Sequence, residues 1–339
     1  MKKYKLSQLI KIKNGREYKH LSDGNIPLYG SGGIMTYVND FLYDGESILL
    51  PRKGTLDNIS YVNGKFWTVD TMYWSLVNAD IVYPRYLYYY LSLLDLSSRD
   101  SGSTLPSMTF DAYYDLDIVV PDKDIQKMVL DIIVPLDEKI FNNNTINNNL
   151  VQSATTLYDF MFAKKSANGK LSKILIESPK STIQVGDSEG VLGDYPFFTS
   201  GETINEWTSY LVDGINCFLS TGGNASIKVY YGKASYSTDT WCITDKGEYS
   251  AYLYFYLKSI IKSIDTSFFA GSGLKHLQKD ALKDVDLYLP TIEELEDFNK
   301  IVCPILKKSS QLYIENKKLI KQRDFLLPLL MNGQATIEE

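Results

Sequence analysis

The chain has 339 residues, of which 44% are hydrophobic and 22% charged, an ordinary globular composition long enough for two domains. No apolar run approaches the roughly 20 residues that a membrane span needs. The opening also lacks the apolar core of a secretory signal, so a cytoplasmic protein is expected. A net charge of -6 argues against a uniformly basic, nucleic-acid-coating surface and leaves room only for focused basic patches.

From the N-terminus, short stretches rich in Tyr, Phe, Thr and Val, such as 47–51, are divided by Gly and Asn turns and read as strands. A tyrosine-rich helix is expected at about 84–95. A long amphipathic helix should begin after Pro121-Asp122, where Asp122 can cap free N–H groups. The same succession then returns. Strand-like stretches such as 217–220 lead to a second tyrosine-rich helix at about 249–261, and a second long helix follows Pro290-Thr291. Cys217, Cys242 and Cys303 are far apart and show no paired spacing, which predicts reduced thiols and no metal site.

The return is a duplication. Pro27 matches Pro196, an offset of 196 − 27 = 169, and the same offset carries Asp44-Gly45 to Asp213-Gly214 and Asp70-Thr71 to Asp239-Thr240. It also carries Gly102-Ser103 to Gly271-Ser272, Asp117 to Asp286, Pro121 to Pro290 and Pro135 to Pro304. A repeat of half the chain length that holds register throughout makes two copies of one plan.

Each long helix shows a seam in alternating steps of four and three. The first runs Val129, Ile133, Leu136, Ile140, Asn143, Asn147, Leu150, Ala154, Leu157, Met161. The second runs Phe298, Val302, Ile305, Ser309, Leu312, Asn316, Leu319, Arg323, Leu326, Leu330. Such spacing predicts a coiled-coil pair, with Asn147 and Asn316 as mid-seam residues that fix register at some cost in stability. About 40 residues at 1.5 Å each give a rod of roughly 60 Å. Pro135 and Pro304 should kink the early turns in a matched way.

Catalytic motifs are lacking. Gly30 to Gly33 form a glycine-rich stretch without the spacing of a nucleotide-binding loop, and read as a turn. Pro121-Asp122 with Asp137 and Lys139 could suggest a nuclease. These residues fall at a helix cap and on a helix face, where charges are usually solvated. His20 and His276 lie in different halves with no nucleophile beside them.

The order of globular part, long helix, globular part, long helix resembles the specificity subunits of type I restriction–modification enzymes. The segments that carry the resemblance are 5–15 (KLSQLIKIKNG), 125–140 (IQKMVLDIIVPLDEKI), 271–282 (GSGLKHLQKDAL) and 318–333 (KLIKQRDFLLPLLMNG). It covers essentially the whole chain, although in the first half the segment 102–110 has no counterpart of Lys275-His276. The resemblance implies an α+β fold with two duplicated target-recognition domains, each a mixed sheet with short helices. Two long antiparallel coiled-coil helices would join them with pseudo-twofold symmetry. The expected bounds are recognition domains at 1–122 and 166–290, spacer helices at 123–165 and 291–333, and a tail at 334–339. The resemblance further implies a non-catalytic reader of a two-part double-stranded DNA target. It would dock two methyltransferase subunits through the helices, and motor–nuclease subunits could join them. The chain itself would bind no cofactor, and S-adenosylmethionine would belong to the partner methyltransferase. A free-standing DNA-binding regulator and a coiled-coil protein adaptor are the alternatives.

Basic and amide side chains among the turns are the candidate DNA contacts, since Lys and Arg suit phosphates, Arg suits guanine and Asn suits adenine. They are Arg16, Lys19, Arg52, Lys53, Asn58, Lys65 and Arg99 in the first half, and Asn224, Lys228, Lys233, Lys275 and His276 in the second. The helix-pair candidates are Ile133, Leu136, Ile140, Asn147, Leu150 and Leu157, with Val302, Ile305, Leu312, Asn316, Leu319 and Leu326. The tyrosine runs at 86–90 and 252–256 sit at helical spacing among leucines and are assigned to the core.

Overall fold

The computed structural model describes residues 1–96, 106–245, 248–271, 273 and 275–334. The chain divides into two compact units: residues 1–139 with 319–339, and residues 140–318. Each unit therefore takes in part of both long helices, a division that differs from the simple succession of domains and helices along the sequence.

In unit 1, β1 (Lys2–Lys5), α1 (Leu6–Leu9) and β2 (Ile10–Lys13) open the chain. Next come β3 (Asp23–Gly30), β4 (Gly33–Val38), β5 (Tyr43–Pro51), β6 (Ser60–Thr68) and β7 (Met72–Val77). Then α2 (Pro84–Ser92), α3 (Phe110–Tyr114) and β8 (Asp117–Val120) lead into α4 (Lys123–Phe162). The strand order is β2-β7-β5-β6-β3-β4, with β3 and β6 parallel and the other pairs antiparallel.

Unit 2 repeats this plan. It holds β9 (Gly169–Lys170), β10 (Ile176–Glu177), β11 (Tyr195–Phe198), β12 (Ile204–Trp207), β13 (Ile215–Ser220), β14 (Ile227–Tyr231), β15 (Ser235–Tyr236) and β16 (Thr240–Thr244). After them come α5 (Ser250–Ser259), α6 (Ile261–Ser267), β17 (Phe269–Ala270), β18 (His276–Leu277), α7 (Lys279–Lys283), β19 (Asp286–Leu287) and α8 (Ile292–Met331). The orders β10-β16-β13-β14 and β12-β11-β15 are those of unit 1 with one strand broken, since β14 and β15 together stand where β6 runs whole. The parallel pairing is kept: Leu28 faces Trp67 in unit 1, and Phe197 faces Ser235 in unit 2. A short ladder closes each unit, with Lys5 opposite Asp117 and Lys170 opposite Asp286. Beside it, Lys5 pairs with Asp115 at 2.8 Å and Lys170 with Asp284 at 2.5 Å.

The tyrosine-rich helices lie in the cores, as their spacing indicated. In unit 1, Tyr86, Leu87 and Tyr89 of α2 share a cluster with Val129 and Ile133 of α4 and with Leu327, Leu330 and Met331 of α8. In unit 2, Tyr252, Leu253 and Phe255 of α5 share one with Ala154, Tyr158 and Phe162 of α4 and with Phe298 and Val302 of α8. The long helices thus bury a stripe wider than a two-position seam, because they pack on a globular part as well as on each other. The buried hydroxyls find partners: Tyr89 donates to Asp137 Oδ2 at 2.5 Å, and Tyr256 to the Asp286 carbonyl at 3.3 Å. Burial pushes the Tyr86 hydroxyl up to about 12.

Helix entry is secured by side chains. Thr291 and Glu294 form a reciprocal capping box on α8, with N–H to Oε2 at 2.9 Å and N–H to Oγ1 at 3.3 Å. The Thr291 N–H beside Glu294 holds its carboxyl below the usual range. Near the start of α4, the buried Gln126 amide donates to the Ile81 and Pro121 carbonyls and accepts the Tyr83 N–H. Both helices continue through their internal prolines, Pro135 and Pro304.

Within unit 2, Asn143 donates to Asn316 Oδ1 at 2.8 Å, and Ser309 donates to Asn147 Oδ1 at 2.6 Å. Residue numbers therefore run in opposite directions along the paired helices. Asn316 also donates to Asn144 at 2.8 Å, so the most buried polar contact joins Asn143 to Asn316, while Asn147 is half-buried beside Ser309. Ile133, Val302 and Leu312 are buried, and Leu136, Ile140, Leu150, Leu157, Ile305, Leu319 and Leu326 are half-buried. In unit 1, Arg323 donates to Asp137 Oδ1 at 3.0 Å, so this seam position is an ion pair.

Phe298→Ala, which removes a fully buried ring packed on Phe162 and Phe255, should cost about 3–5 kcal/mol in urea denaturation. Phe160→Ala, at a ring that is 87% exposed, should stay within about 0.5 kcal/mol. Asn316→Leu alone removes one partner of the buried Asn143, which keeps Glu315 Oε2 at 3.1 Å, and should lose about 1 kcal/mol, whereas Asn143→Leu with Asn316→Leu replaces both partners and should lose less. Equal losses in the single and double variants would refute the buried-amide account.

Candidate nucleic-acid interface

Each unit carries the same small backbone frame beside its sheet. In unit 1 the chain leaving β5 runs antiparallel to the segment entering α3. Gly54 N–H donates to the Pro106 carbonyl at 2.9 Å, Met108 N–H donates to the Arg52 carbonyl at 3.0 Å, and Lys53 bridges Ser107. In unit 2 the chain leaving β13 meets the segment entering α7 likewise. Gly223 N–H donates to the Lys275 carbonyl at 3.2 Å, Leu277 N–H donates to the Thr221 carbonyl at 3.0 Å, and Gly222 bridges His276. Every residue of one frame maps to the other by the offset of 169. Gly54 and Gly223 take φ of 95° and 77°, a left-handed turn that glycine makes without steric cost. The leaving strand is also held from behind, by the Thr71 carbonyl on Arg52 N–H at 2.8 Å and the Asp239 carbonyl on Thr221 N–H at 3.3 Å.

The frames agree but their side chains do not. In unit 1 the cations Arg52 and Lys53 stand on the leaving strand, opposite Pro106 and Ser107. In unit 2 the leaving strand carries Thr221 and Gly222, and Lys275 and His276 stand on the returning strand. Lys53, Lys275 and His276 are exposed and Arg52 is half-buried. Among the described residues no carboxylate pairs with Arg52, Lys53 or Lys275; the Arg52 guanidinium reaches only the Asp70 carbonyl, at 3.4 Å.

The remaining candidates are dispersed. Arg16 and Lys19 are exposed between β2 and β3, where the Arg16 carbonyl accepts from Trp67 Nε1 at 3.1 Å. Asn58 is half-buried and spends its amide on the Ser31 carbonyl at 2.6 Å, tying two turns together. Asn224 is exposed, and its carbonyl accepts from Ser220 at 2.7 Å. Lys228 is half-buried, with its ammonium on the Thr199 carbonyl at 3.2 Å and on the Gly201 carbonyl, so it holds a loop in place. Burial lowers the pKa of its ammonium. Arg99 lies outside the described residues.

Lys65 and Lys233 occupy matching places away from the frames. Lys65 Nζ lies 4.8 Å from the Phe41 ring centre and Lys233 Nζ lies 4.6 Å from that of Tyr210. Phe41 and Tyr210 are themselves related by 210 − 41 = 169. Both units thus keep an exposed cation–π pair at one position.

In unit 2 a cleft beside the frame adds residues that sequence reasoning passed over. Its lining includes Thr221, Asp239, Trp241, His276, Lys180 and Lys279. The Lys279 ammonium lies 5.2 Å from the Trp241 ring centre, and burial lowers its pKa. The signal was available: Lys275, His276, Lys279 and Lys283 form one basic run, of which only the first two were singled out.

The model of the type I restriction modification DNA specificity domain matches twice, over residues 1–152 and 168–323, once for each repeat. The specificity subunit of the type I restriction enzyme HindI of Haemophilus influenzae is 24% identical over 404 aligned positions, covering 87% of this chain and 86% of that one. The specificity subunit of the type I restriction enzyme EcoDI of Escherichia coli is 29% identical over 150, covering 43% of this chain and 34% of that one. Among solved structures, the S subunit of a type I restriction-modification system from M. genitalium shares the fold with a TM-score of 0.67. That match has 15% identity and covers 97% of this chain and 95% of the other. The chain belongs to the family of type I restriction–modification DNA specificity subunits.

Proposed function

We propose that this chain is the non-catalytic reader of a two-part DNA target, one half-site to each globular part, and that its paired helices dock two methyltransferase subunits. The observation that carries the reading is the duplicated backbone frame, which presents unpaired cations in both units but arranges them differently. One fold used twice with changed exposed side chains suits two different half-sites. Base edges are read by side-chain donors and acceptors, whereas phosphate contacts only set position. Phe141, Phe160 and Phe325, which are 70%, 87% and 68% exposed on the long helices, support docking of a partner along them. Motor–nuclease subunits can join the same assembly. The chain binds no cofactor of its own, and S-adenosylmethionine is held by the methyltransferase.

Co-expression with the cognate methyltransferase, followed by mapping of methylated bases, should yield a split motif that vanishes when this chain is omitted. An unchanged methylation pattern without the chain, or failure of the two proteins to co-purify, would favour a free-standing regulator or an adaptor. Matched inserts of whole heptads in α4 and α8 should lengthen the unread spacer and leave both half-sites alone. Altered half-site bases in such inserts would count against a spacer role for the helices.

A further inference from the structure

The two units serve as each other's control. A contact common to both cannot tell one half-site from another, so features exchanged on an unchanged frame are where discrimination between the half-sites resides. Lys65 with Phe41 and Lys233 with Tyr210 belong to the first kind. The frames belong to the second, since their hydrogen bonds and left-handed glycines coincide while their cations change strands.

We propose that Arg52 and Lys53 in unit 1, and Lys275 and His276 in unit 2, are specificity-determining residues that read acceptor-bearing purine edges, guanine foremost, in their respective half-sites. The inference rests on the DNA-reading function above and adds the residues that perform it. Three physical points converge. The Gly54, Met108, Gly223 and Leu277 N–H groups are consumed within the frames, so at these positions reading falls to the side chains. The frames are fixed from behind by the Thr71 and Asp239 carbonyls, and in unit 1 Asn58 ties the leaving loop to Ser31, so little conformational freedom is lost on binding. Arg and Lys carry donors and no acceptors, which matches the O6 and N7 pair that guanine presents in the major groove. Moving the cations to the facing strand shifts the backbone they leave from by about 4.8 Å, so the two units present their donors from different strands of the same frame.

The test uses the complex with the cognate methyltransferase, with motif mapping and salt-titrated DNA binding as readouts. Arg52→Ala with Lys53→Ala should lose about 5- to 150-fold discrimination at one or two positions of one half-site and leave the other half-site intact. Lys275→Ala with His276→Ala should do the same to the other half-site. Arg52→Gln, which keeps a long polar side chain, should move the preference from guanine toward adenine at one position, because Gln pairs with adenine N6 and N7. Lys65→Ala should instead weaken all sequences evenly, lower the salt slope by about 0.9 and leave the motif unchanged. An even loss on every sequence in the Arg52/Lys53 variant, with the motif intact, would make these residues phosphate contacts and overturn the proposal. So would an unchanged motif and affinity. If the wild-type complex itself produced no chain-dependent motif, the DNA-reading function would fail first, a result distinct from either of these.

Discussion

Burial of the tyrosine-rich helices against the long helices is the interaction on which the rest of the structure depends. In unit 1, α2 shares its core with Val129 and Ile133 from one long helix and Leu327, Leu330 and Met331 from the other. In unit 2, α5 meets Tyr158, Phe162 and Phe298 in the same manner. A globular part cut from its helix segments would expose these aromatic faces to water. With roughly 25 cal/mol lost per Å² of apolar surface, each such face is worth several kcal/mol. The compact units accordingly include helix from both ends of the chain. Within each unit the long helices are part of the core, so the register between them also bears on the packing of that core.

Apolar contacts alone would allow neighbouring registers on such a stripe. The buried amides of Asn143 and Asn316 do not, because a slip of one turn would part them from each other, and Asn147 from Ser309. Arg323 with Asp137 and Tyr89 plays the corresponding part in unit 1, where each group satisfies the next. The pairing gives up some stability at these polar positions and gains a single arrangement.

Much of this was legible in the sequence. Helices expected at 123–165 and 291–333 are found at Lys123–Phe162 and Ile292–Met331, and the repeat offset read from Pro27 and Pro196 reappears in paired strands and in the frames. These features are local or translational, so periodicity and self-comparison reach them. The parts that escaped are contacts between distant segments. Nothing near Lys228 shows that its ammonium is claimed by the carbonyls of residues 199 and 201, nor near Asn58 that its amide is claimed by Ser31. The seam pattern singled out Asn147 as the partner-bearing amide, whereas the facing residues place Asn143 at the buried position opposite Asn316 and Asn147 at a half-buried one beside Ser309. The pairing of 52–54 with 106–108 joins stretches about fifty residues apart and has no local signature.

The acidic balance of the chain is the remaining constraint on a DNA-reading role. A net charge of -6 acts on long-range attraction, but screening confines exposed charges to about 8–10 Å in physiological salt, so the field at a contact is set by its neighbours. Much of the acid is engaged locally. Asp115 and Asp284 pair with lysines in the closing ladders, Asp137 with Arg323, and Glu293 and Glu294 stand in the first turn of α8, where the helix dipole favours them. Among the described residues Arg52, Lys53 and Lys275 are not paired with carboxylates, and His276 lines a cleft that holds Lys180 and Lys279 together with Glu177 and Asp239. On the proposed DNA-reading role, such a distribution would keep general affinity for DNA low while leaving local donors. A reader that must pass over many wrong sequences benefits from that ratio, because weak non-specific binding enlarges the share of affinity that depends on the bases.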